Sequence, residues 1–186
     1  IVTVDDTASA ANVNTIANAT TGAVTATITT GAVAATLAAI TNVGAGDTIT
    51  FTTNDSSADA TDLVALNAKV DTFGVTSVVT VTEVAASIGS NAVNVTDAIA
   101  IVGNTHAVTI TNAISAANVN IIANATSGIV TATMSPATAA TIVSGLSNVV
   151  AGDAITAEVT STTITAAQLA TLVAKVDTLT LDDNTA

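Results

Sequence analysis

The chain has 186 residues, of which 49% are hydrophobic, and this is sufficient for one or two domains with a buried core. Fourteen acidic residues stand against two lysines, Lys69 and Lys175, which gives a formal net charge of −12. A chain with so few cations lacks the basic clusters that hold phosphates, so we expect binding neither to nucleic acid nor to an anionic membrane surface. Mean hydropathy is +0.69, but Thr, Asn and Ser interrupt every apolar run before the roughly 18 residues of a membrane helix, so we expect no membrane insertion.

An internal duplication organises the sequence. Residues 2–77 align without a gap with residues 108–183 at an offset of 106, and the Ala-Gly-Asp and Ala-Lys-Val-Asp motifs recur in both copies. Such a recurrence indicates a repeat array rather than one irregular globular domain. We therefore expect a single array over residues 1–186, in which residues 83–107 form irregular connecting coils.

Eight short segments alternate an apolar residue with Thr or another polar residue, the two-residue period of a strand with one buried face. The eight segments are Val2–Asp5, Val24–Thr29, Thr48–Thr52, Val78–Thr82, Val108–Thr111, Val130–Ser135, Ala154–Thr160 and Leu179–Asp182. Between them, apolar residues recur three and four positions apart, as in Val13, Ile16 and Ala17. This spacing predicts short amphipathic helices that alternate with the strands.

Residues that begin helices support this interpretation. Ser9 and Ser115 stand where a helix N-cap belongs, and Pro136 is expected to open a helix. Within residues 83–107, we favour a short strand at Val93–Thr96 between two weak helices, and a looped-out coil is the alternative.

A unit of one strand and one helix, here called a coil, cannot bury its own apolar face, so neighbouring coils must stack. Right-handed crossovers are the usual connection between parallel strands, and the strands then lie about 4.8 Å apart. The expected fold is an α/β, right-handed β–α solenoid of seven or eight coils, with one continuous parallel sheet along one side.

Few residues suggest reaction chemistry. His106 is the only histidine, Cys is absent, and the Gly-x-Ser-x-Gly motif of a nucleophile elbow is missing, so we interpret His106 as a turn residue and expect no enzyme. Calcium is the one candidate cofactor, because it takes hard oxygen ligands and several Asp residues stand at predicted turns. We place such a site near Asp5 and Asp6, although neither an EF-hand loop nor a glycine-rich nonapeptide is present.

Threonine occupies the outward positions of the predicted strands. If the strands stack in register, the side chains form a ladder of hydroxyl and methyl groups on an exposed sheet. The expected members are Thr25, Thr27, Thr50, Thr52, Thr80, Thr82, Thr109, Thr111, Thr131 and Thr133. Thr is also simply favoured in strands with a solvated face, so the ladder is either ordinary strand composition or a recognition surface for ice or glycans.

The motif Ser-Ala-Ala-Asn-Val-Asn-x-Ile-Ala-Asn-Ala-Thr occurs at residues 9–20 and 115–126 and is followed by Gly-x-Val-Thr-Ala-Thr. It resembles the Thr/Ala/Asn-rich tandem repeats of very large exported bacterial proteins, in particular cyanobacterial cell-surface and adhesin-like proteins. The resemblance implies an extracellular structural or adhesive role without an active site.

The two ends of the array are expected to be sheet edges suited to assembly. Val2 and Val4 lie in the first predicted strand and Leu179 and Leu181 in the last, and neither strand carries a lysine or proline that would discourage pairing. We therefore expect a structural protein that assembles end to end, or forms part of a long surface fibre or layer, through copies of itself or adjacent repeats. An adhesin-like module that binds ice or glycans through the Thr ladder is the alternative function.

Overall fold

The structure is a computed structural model that describes residues 1–88 and 92–182. The chain divides into two compact units, Ile1–Val79 and Thr80–Ala186. Both units are α/β and alternate parallel strands with short helices, which confirms the predicted class.

The first unit contains five strands and three helices in its described residues. They are β1 (Val2–Ala8), α1 (Ala10–Ala19), β2 (Val24–Ile28), α2 (Val33–Ala39), β3 (Thr48–Thr52), β4 (Ser57–Asp59), α3 (Ala60–Asn67) and β5 (Thr72–Gly74). Four of the strands form a parallel sheet in the order β1-β2-β3-β5, so spatial order follows chain order.

The second unit repeats this arrangement with a further coil at its start. Its elements are β6 (Thr80–Val84), a 3-10 turn (Ala85–Ser87), α4 (Val93–Val102), β7 (Ala107–Ile114), α5 (Ala116–Ala125), β8 (Val130–Met134), α6 (Ala139–Ser144), β9 (Ala154–Val159), α7 (Ala166–Lys175) and β10 (Thr178–Leu181). The strands of this unit pair in parallel in the order β6-β7-β8-β9-β10, again without a change of direction along the chain.

Small and branched side chains fill the space between strands and helices. In β2, Val24, Ala26 and Ile28 are buried while the alternate Thr positions face outward, as the sequence pattern predicts. Phe51 and Phe73 lie in register on the neighbouring strands β3 and β5, with ring centroids 5.9 Å apart, and form an aromatic pair in the first unit. Such thin layers suit coils that stack at strand spacing.

The predicted N-caps Ser9 and Ser115 are confirmed, since each hydroxyl accepts the backbone N–H three residues later at 3.3 Å. The prediction for Pro136 is wrong. The helix that follows it begins after Thr138, whose side chain is the cap. Ala137, between Pro136 and Thr138, forms an isolated parallel bridge with Val159, and this bridge keeps the chain extended at this point.

The prediction of one continuous sheet is wrong, because the strands belong to two sheets. The row of strands in the first unit stops at β5, which has three residues and is followed at once by a turn in which the Val78 N–H donates to Val75 O at 3.0 Å. A strand this short offers little edge on which a further long strand can pair.

The predicted strand at Val93–Thr96 is also wrong, since these residues begin the helix α4. Val95, Ala98 and Ile99 are buried at helical spacing, and this apolar stripe overrides the local alternation of Val, Asn, Val and Thr. An alternation of four residues is too short to distinguish the two periods.

Candidate functional site

The duplicated Ala-Gly-Asp motif connects consecutive coils. Asp47 accepts the N–H of Val24, the first residue of β2, at 2.8 Å, and its second oxygen accepts the N–H of Gly44 at 3.0 Å. In the second unit, Asp153 accepts the N–H groups of Val130 and Val150 at 2.8 and 2.9 Å. Each carboxylate thus closes its own turn and fixes that turn to the strand one coil earlier.

The Ala-Lys-Val-Asp motif makes a second connection of the same kind. Asp71 accepts the N–H of Ile49 in β3 at 2.8 Å, and its own N–H donates to Ile49 O at 2.8 Å. Asp177 makes the equivalent pair with Ile155 in β9, at 3.0 and 2.9 Å. Each of these two aspartates therefore satisfies both backbone groups of one strand residue: its carboxylate accepts the N–H, and its own N–H donates to the C=O.

On the helix side, Asn residues connect the coils. Asn14 Oδ1 accepts the N–H of Asn42 at 2.6 Å, and Asn120 Oδ1 accepts the N–H of Asn148 at 2.8 Å. Both Asn residues are duplicated in sequence, and each reaches the loop that follows the next helix. We refer to Asp47, Asp71, Asp153, Asp177, Asn14 and Asn120 as the coil-connecting residues.

Both lysines belong to the same system of connections. Lys69 Nζ donates to Val43 O at 3.2 Å, and Lys175 Nζ donates to Ser147 O at 3.2 Å. Each ammonium group thereby binds a carbonyl in the loop of the preceding coil. The two cations are half-buried structural donors.

A small cleft of about 60 Å³ lies beside these groups in the first unit, lined by residues that include Asp47, Lys69 and Asp71. Its volume is enough for water molecules and is well below the several hundred Å³ of an ordinary small-molecule site. The polar groups on its wall donate to or accept from neighbouring backbone, as described above.

The Thr ladder is registered within each unit. Thr25 of β2 pairs with Thr3 and Thr48, and Thr27 pairs with Thr7, Thr50 and, one strand further, Thr72. Thr52 is two residues after Thr50 on β3, and its partner on β5 is Gly74 rather than another Thr. In the second unit, Thr82, Thr109 and Thr131 form one row across three strands, and Thr133 begins another with Thr156 and Thr178.

Two predicted members of the ladder lie outside these rows. Thr111 is displaced by a bulge, because the register of β7 on β8 shifts between Thr109 and Ala113, and its hydroxyl donates to Glu83 O at 3.3 Å. Thr80 pairs with Ala107 rather than with another Thr.

Asp5 and Asp6 lie at the equivalent irregularity of β1, where the register on β2 shifts between Thr3 and Thr7. Both aspartates are exposed. Over residues 1–88 and 92–182, acidic, His or Cys side chains form no group of three or more that would hold a metal ion. Calcium takes six to eight oxygens, so a site here would need main-chain oxygens and water in addition to these two side chains. The calcium site stays a prediction.

His106 lies in the turn before β7, as predicted, and its Nδ1 is 2.9 Å from Gly103 O. The carbonyl of His106 also accepts the Thr126 hydroxyl at 2.8 Å, and Thr126 in turn accepts the N–H of Gly128 at 2.9 Å. Gly128 is required here because a Cβ atom would lie 2.2 Å from His106 O. The surroundings of this histidine are those of a packed turn.

One carboxyl group has a perturbed pKa. Burial, with a smaller contribution from repulsion by Asp59, raises the pKa of Asp62 above its ordinary value of 3.8. Asp59 is the N-cap of α3, and its carboxylate accepts the N–H groups of Thr61 and Asp62 at 3.0 and 3.2 Å. The two acids therefore share one helix N-terminus.

The four predicted assembly residues lie on edge strands. Val2 and Val4 are in β1, the outer strand of the first sheet, and Leu179 and Leu181 are in β10, the outer strand of the second. Leu181 is 49% exposed, and the other three are half-buried.

Sequence reasoning identified the coil-connecting aspartates as recurring landmarks but missed their role. The distance along the chain could have indicated this role. Each carboxylate accepts an N–H from a residue 22 or 23 positions earlier, which is the length of one coil.

Comparison of the chain with protein-family models, curated proteins and solved structures found no match. Among the described residues, the helices are all too short or too polar to cross a membrane.

Proposed function

We propose that this chain is an extracellular structural repeat protein that assembles end to end, or forms part of a long surface fibre or layer. The observation that carries the proposal is the use of the duplicated polar residues. Asp, Asn and Lys side chains that recur at the 106-residue offset bind the backbone of the neighbouring coil. Reactive groups in an enzyme are instead directed toward a substrate pocket.

The fold that supports this function best is a right-handed β–α solenoid. A doubly wound sheet reverses its strand order at one point, and its ligand crevice forms there. The orders β1-β2-β3-β5 and β6-β7-β8-β9-β10 contain no reversal, and right-handed crossovers are strongly favoured between parallel strands. A crystal structure with left-handed connections would contradict this part of the proposal.

The extracellular location and the absence of enzymatic activity belong to the same proposal. They are supported by the resemblance to exported bacterial surface repeats and by a composition without cysteine, with few lysines and with abundant Thr and Asn.

Electron microscopy and light scattering of the purified chain over a wide concentration range test assembly directly. We expect elongated particles whose mass increases with concentration. A monodisperse monomer at high concentration would refute end-to-end assembly. Parallel measurements with calcium, with magnesium and with a chelator test the predicted site, and the Asp5→Asn, Asp6→Asn double variant should abolish any response specific to calcium.

The registered Thr rows favour one second function, which is binding of ice or glycans by the exposed sheet. Thr27 in the first unit and Thr133 in the second are exposed members of these rows. Thermal hysteresis or glycan-array binding should be lost in the double variant that carries both Thr27→Lys and Thr133→Lys. The control, Thr15→Lys, changes an exposed Thr on the helix side and should retain the activity. The absence of both activities in the unchanged protein would leave the Thr rows as ordinary strand composition.

A further inference from the structure

The Thr rows of the two units differ in how far neighbouring rows lie side by side. In the first unit, two rows run next to each other across the three strands β1, β2 and β3, and the second row continues onto β5. We refer to the residues of these two rows as the Thr block. Its first row is Thr3, Thr25 and Thr48, and its second row is Thr7, Thr27, Thr50 and Thr72.

The equivalent face of the second unit is interrupted. Ala154 pairs with Thr131, and Ala113 pairs with Thr133, where the first unit has Thr in both places. Glu158 also lies on the outward side of β9, because its neighbours in that strand are buried. The two Thr rows of the second unit therefore lie side by side on β8 alone.

Parallel pairing sets the spacing of the Thr block in two directions. Neighbouring strands lie about 4.8 Å apart, and outward residues two positions apart on β2 or β3 are separated by about 6.6 Å. Thr is branched at Cβ and its χ1 angle is restricted, so each hydroxyl and methyl group is held in a defined position. The block is thus a two-dimensional lattice that loses little conformational freedom on binding.

The side chains of the Thr block carry no charge, although the chain as a whole has a net charge of −12. Asp47 and Asp71 lie just before β3 and β5, and their carboxylates accept N–H groups of the neighbouring strands. Asp5 and Asp6 lie in the bulge of β1, the outer strand of this sheet. The block therefore fits a neutral partner with hydrogen-bonding groups better than an ion or a charged polymer.

A soluble sugar and crystalline water are two neutral partners of this kind. Small-molecule sites are usually concave and lined by aromatic side chains. Trp and Tyr are absent from the sequence, and the two Phe residues, Phe51 and Phe73, pair with each other in the first unit. The Thr block instead repeats one residue type over a sheet face, which complements a ligand that is itself periodic. The oxygen atoms of ice form such a lattice, with repeats close to the spacings of the block.

We infer that the Thr block of the first unit binds the surface of ice and that the equivalent face of the second unit does not. This inference rests on the second function proposed above and specifies its ligand and its location. The Thr hydroxyl groups can donate to and accept from water molecules of the ice lattice. The methyl groups between them disfavour water that is out of register with that lattice.

Thermal hysteresis of the purified chain, the separation of its freezing and melting points, tests the inference. Thr27 is exposed and has Thr7 and Thr50 on either side. Thr27→Lys should abolish thermal hysteresis, because a long charged side chain would hold the ice surface away from both neighbours. The matched control is Thr133→Lys, which changes the equivalent exposed residue of β8 and should leave thermal hysteresis unchanged. Circular dichroism of both variants checks that they are folded.

Ala154→Thr tests the lattice argument by a gain of activity. Residue 154 is exposed beside Thr131, so this substitution makes the two Thr rows of the second unit lie side by side on β9 as well as on β8. We expect thermal hysteresis to increase. The control is Val150→Thr, which adds a Thr at a residue that is 62% exposed in the loop before β9 and should have no effect.

The outcomes separate this inference from the proposed functions. Loss in Thr27→Lys, retention in Thr133→Lys and gain in Ala154→Thr support it. Equal effects of the two Lys variants, or no gain in Ala154→Thr, overturn it. Glycan-array binding without thermal hysteresis overturns ice as the ligand and leaves recognition by the sheet standing. The absence of both activities in the unchanged protein overturns this inference and the second function together, whereas end-to-end assembly is decided separately by light scattering.

Discussion

Asp153→Ala is the sharpest test of the coil-connecting residues. The side chain of Asp153 is 4% exposed and accepts two backbone N–H groups, from Val130 at 2.8 Å and from Val150 at 2.9 Å. Alanine removes both acceptors. The N–H of Val130 then stays in a buried hydrogen-bond position without its partner, since the bond to Asp153 is itself buried.

The expected loss of stability can be worked from these contacts. A buried donor left unsatisfied costs about 1–3 kcal/mol, and hydrogen bonds to a charged acceptor contribute about 1.5–3 kcal/mol. For two such bonds, one of them closer to solvent, we expect a total loss of about 2–5 kcal/mol. In a protein of this length, 1 kcal/mol shifts the melting temperature by about 2–4 °C, so the decrease should be about 4–20 °C.

The matched comparison is Asp47→Ala in the first unit. Asp47 makes the same two bonds, to Val24 and Gly44, but is half-buried, so water can replace part of what the carboxylate provides. We expect a loss of about 1–2 kcal/mol there. The order of the two variants therefore tests burial separately from the number of bonds.

Circular dichroism is the appropriate probe of unfolding, because the chain contains no Trp or Tyr that would give a fluorescence signal. The chain divides into two compact units, so a single unfolding transition is not assured, and amide exchange of Val130 and Val150 should be measured in parallel. This exchange should accelerate in Asp153→Ala. A folded Asp153→Ala protein with an unchanged melting temperature, or a larger loss in Asp47→Ala, would refute the assignment of these carboxylates as connections between coils.

Two further substitutions test local features. Asp62→Asn should stabilise the protein near pH 7, because burial and Asp59 raise the pKa of Asp62 in the folded state and its ionisation therefore opposes folding. This gain in stability should disappear as pH falls below 3.8, where Asp62 is protonated in both states. A gain that stays constant over the whole pH range would contradict the assignment. Gly145→Ala should lower the free energy of unfolding by about 1–3 kcal/mol or more, since a Cβ atom would lie 2.4 Å from Ala116 O. The control is Gly152→Ala, whose Cβ atom meets nothing within 4 Å and should leave thermal unfolding unchanged. Equal effects of the two substitutions would refute the packing argument.

The sequence by itself determined the local elements. The two-residue alternation predicted Thr48–Thr52 with its observed bounds and β2 and β8 to within one residue, because each of these strands has one buried and one outward face over at least five residues. Ser9 and Ser115 were predicted as N-caps because capping depends on residues only three positions apart. The two-residue alternation also places Thr on the outward face of each strand, so the Thr rows were predictable once parallel stacking was assumed.

Tertiary structure decided which strands share a sheet and what the polar residues do. The three-residue strands β4 and β5 are too short to show a period, and the division of the strands into two sheets was therefore missed. The segment Val93–Thr96 became helical because its burial within the second unit selected the helical stripe.

The roles of Asp47 and Asp153 could not be read from composition, since an Asp at a turn is common for local reasons alone. Each carboxylate has one partner within its own turn and another 23 residues earlier, Val24 or Val130, and only the stacking of one coil on the next brings the carboxylate to that distant N–H. The same reason explains why Asn12 is exposed and Asn118 is not, although their sequence surroundings are nearly identical. Local sequence determines the form of a coil, whereas burial depends on the neighbouring coil, which the local pattern does not contain.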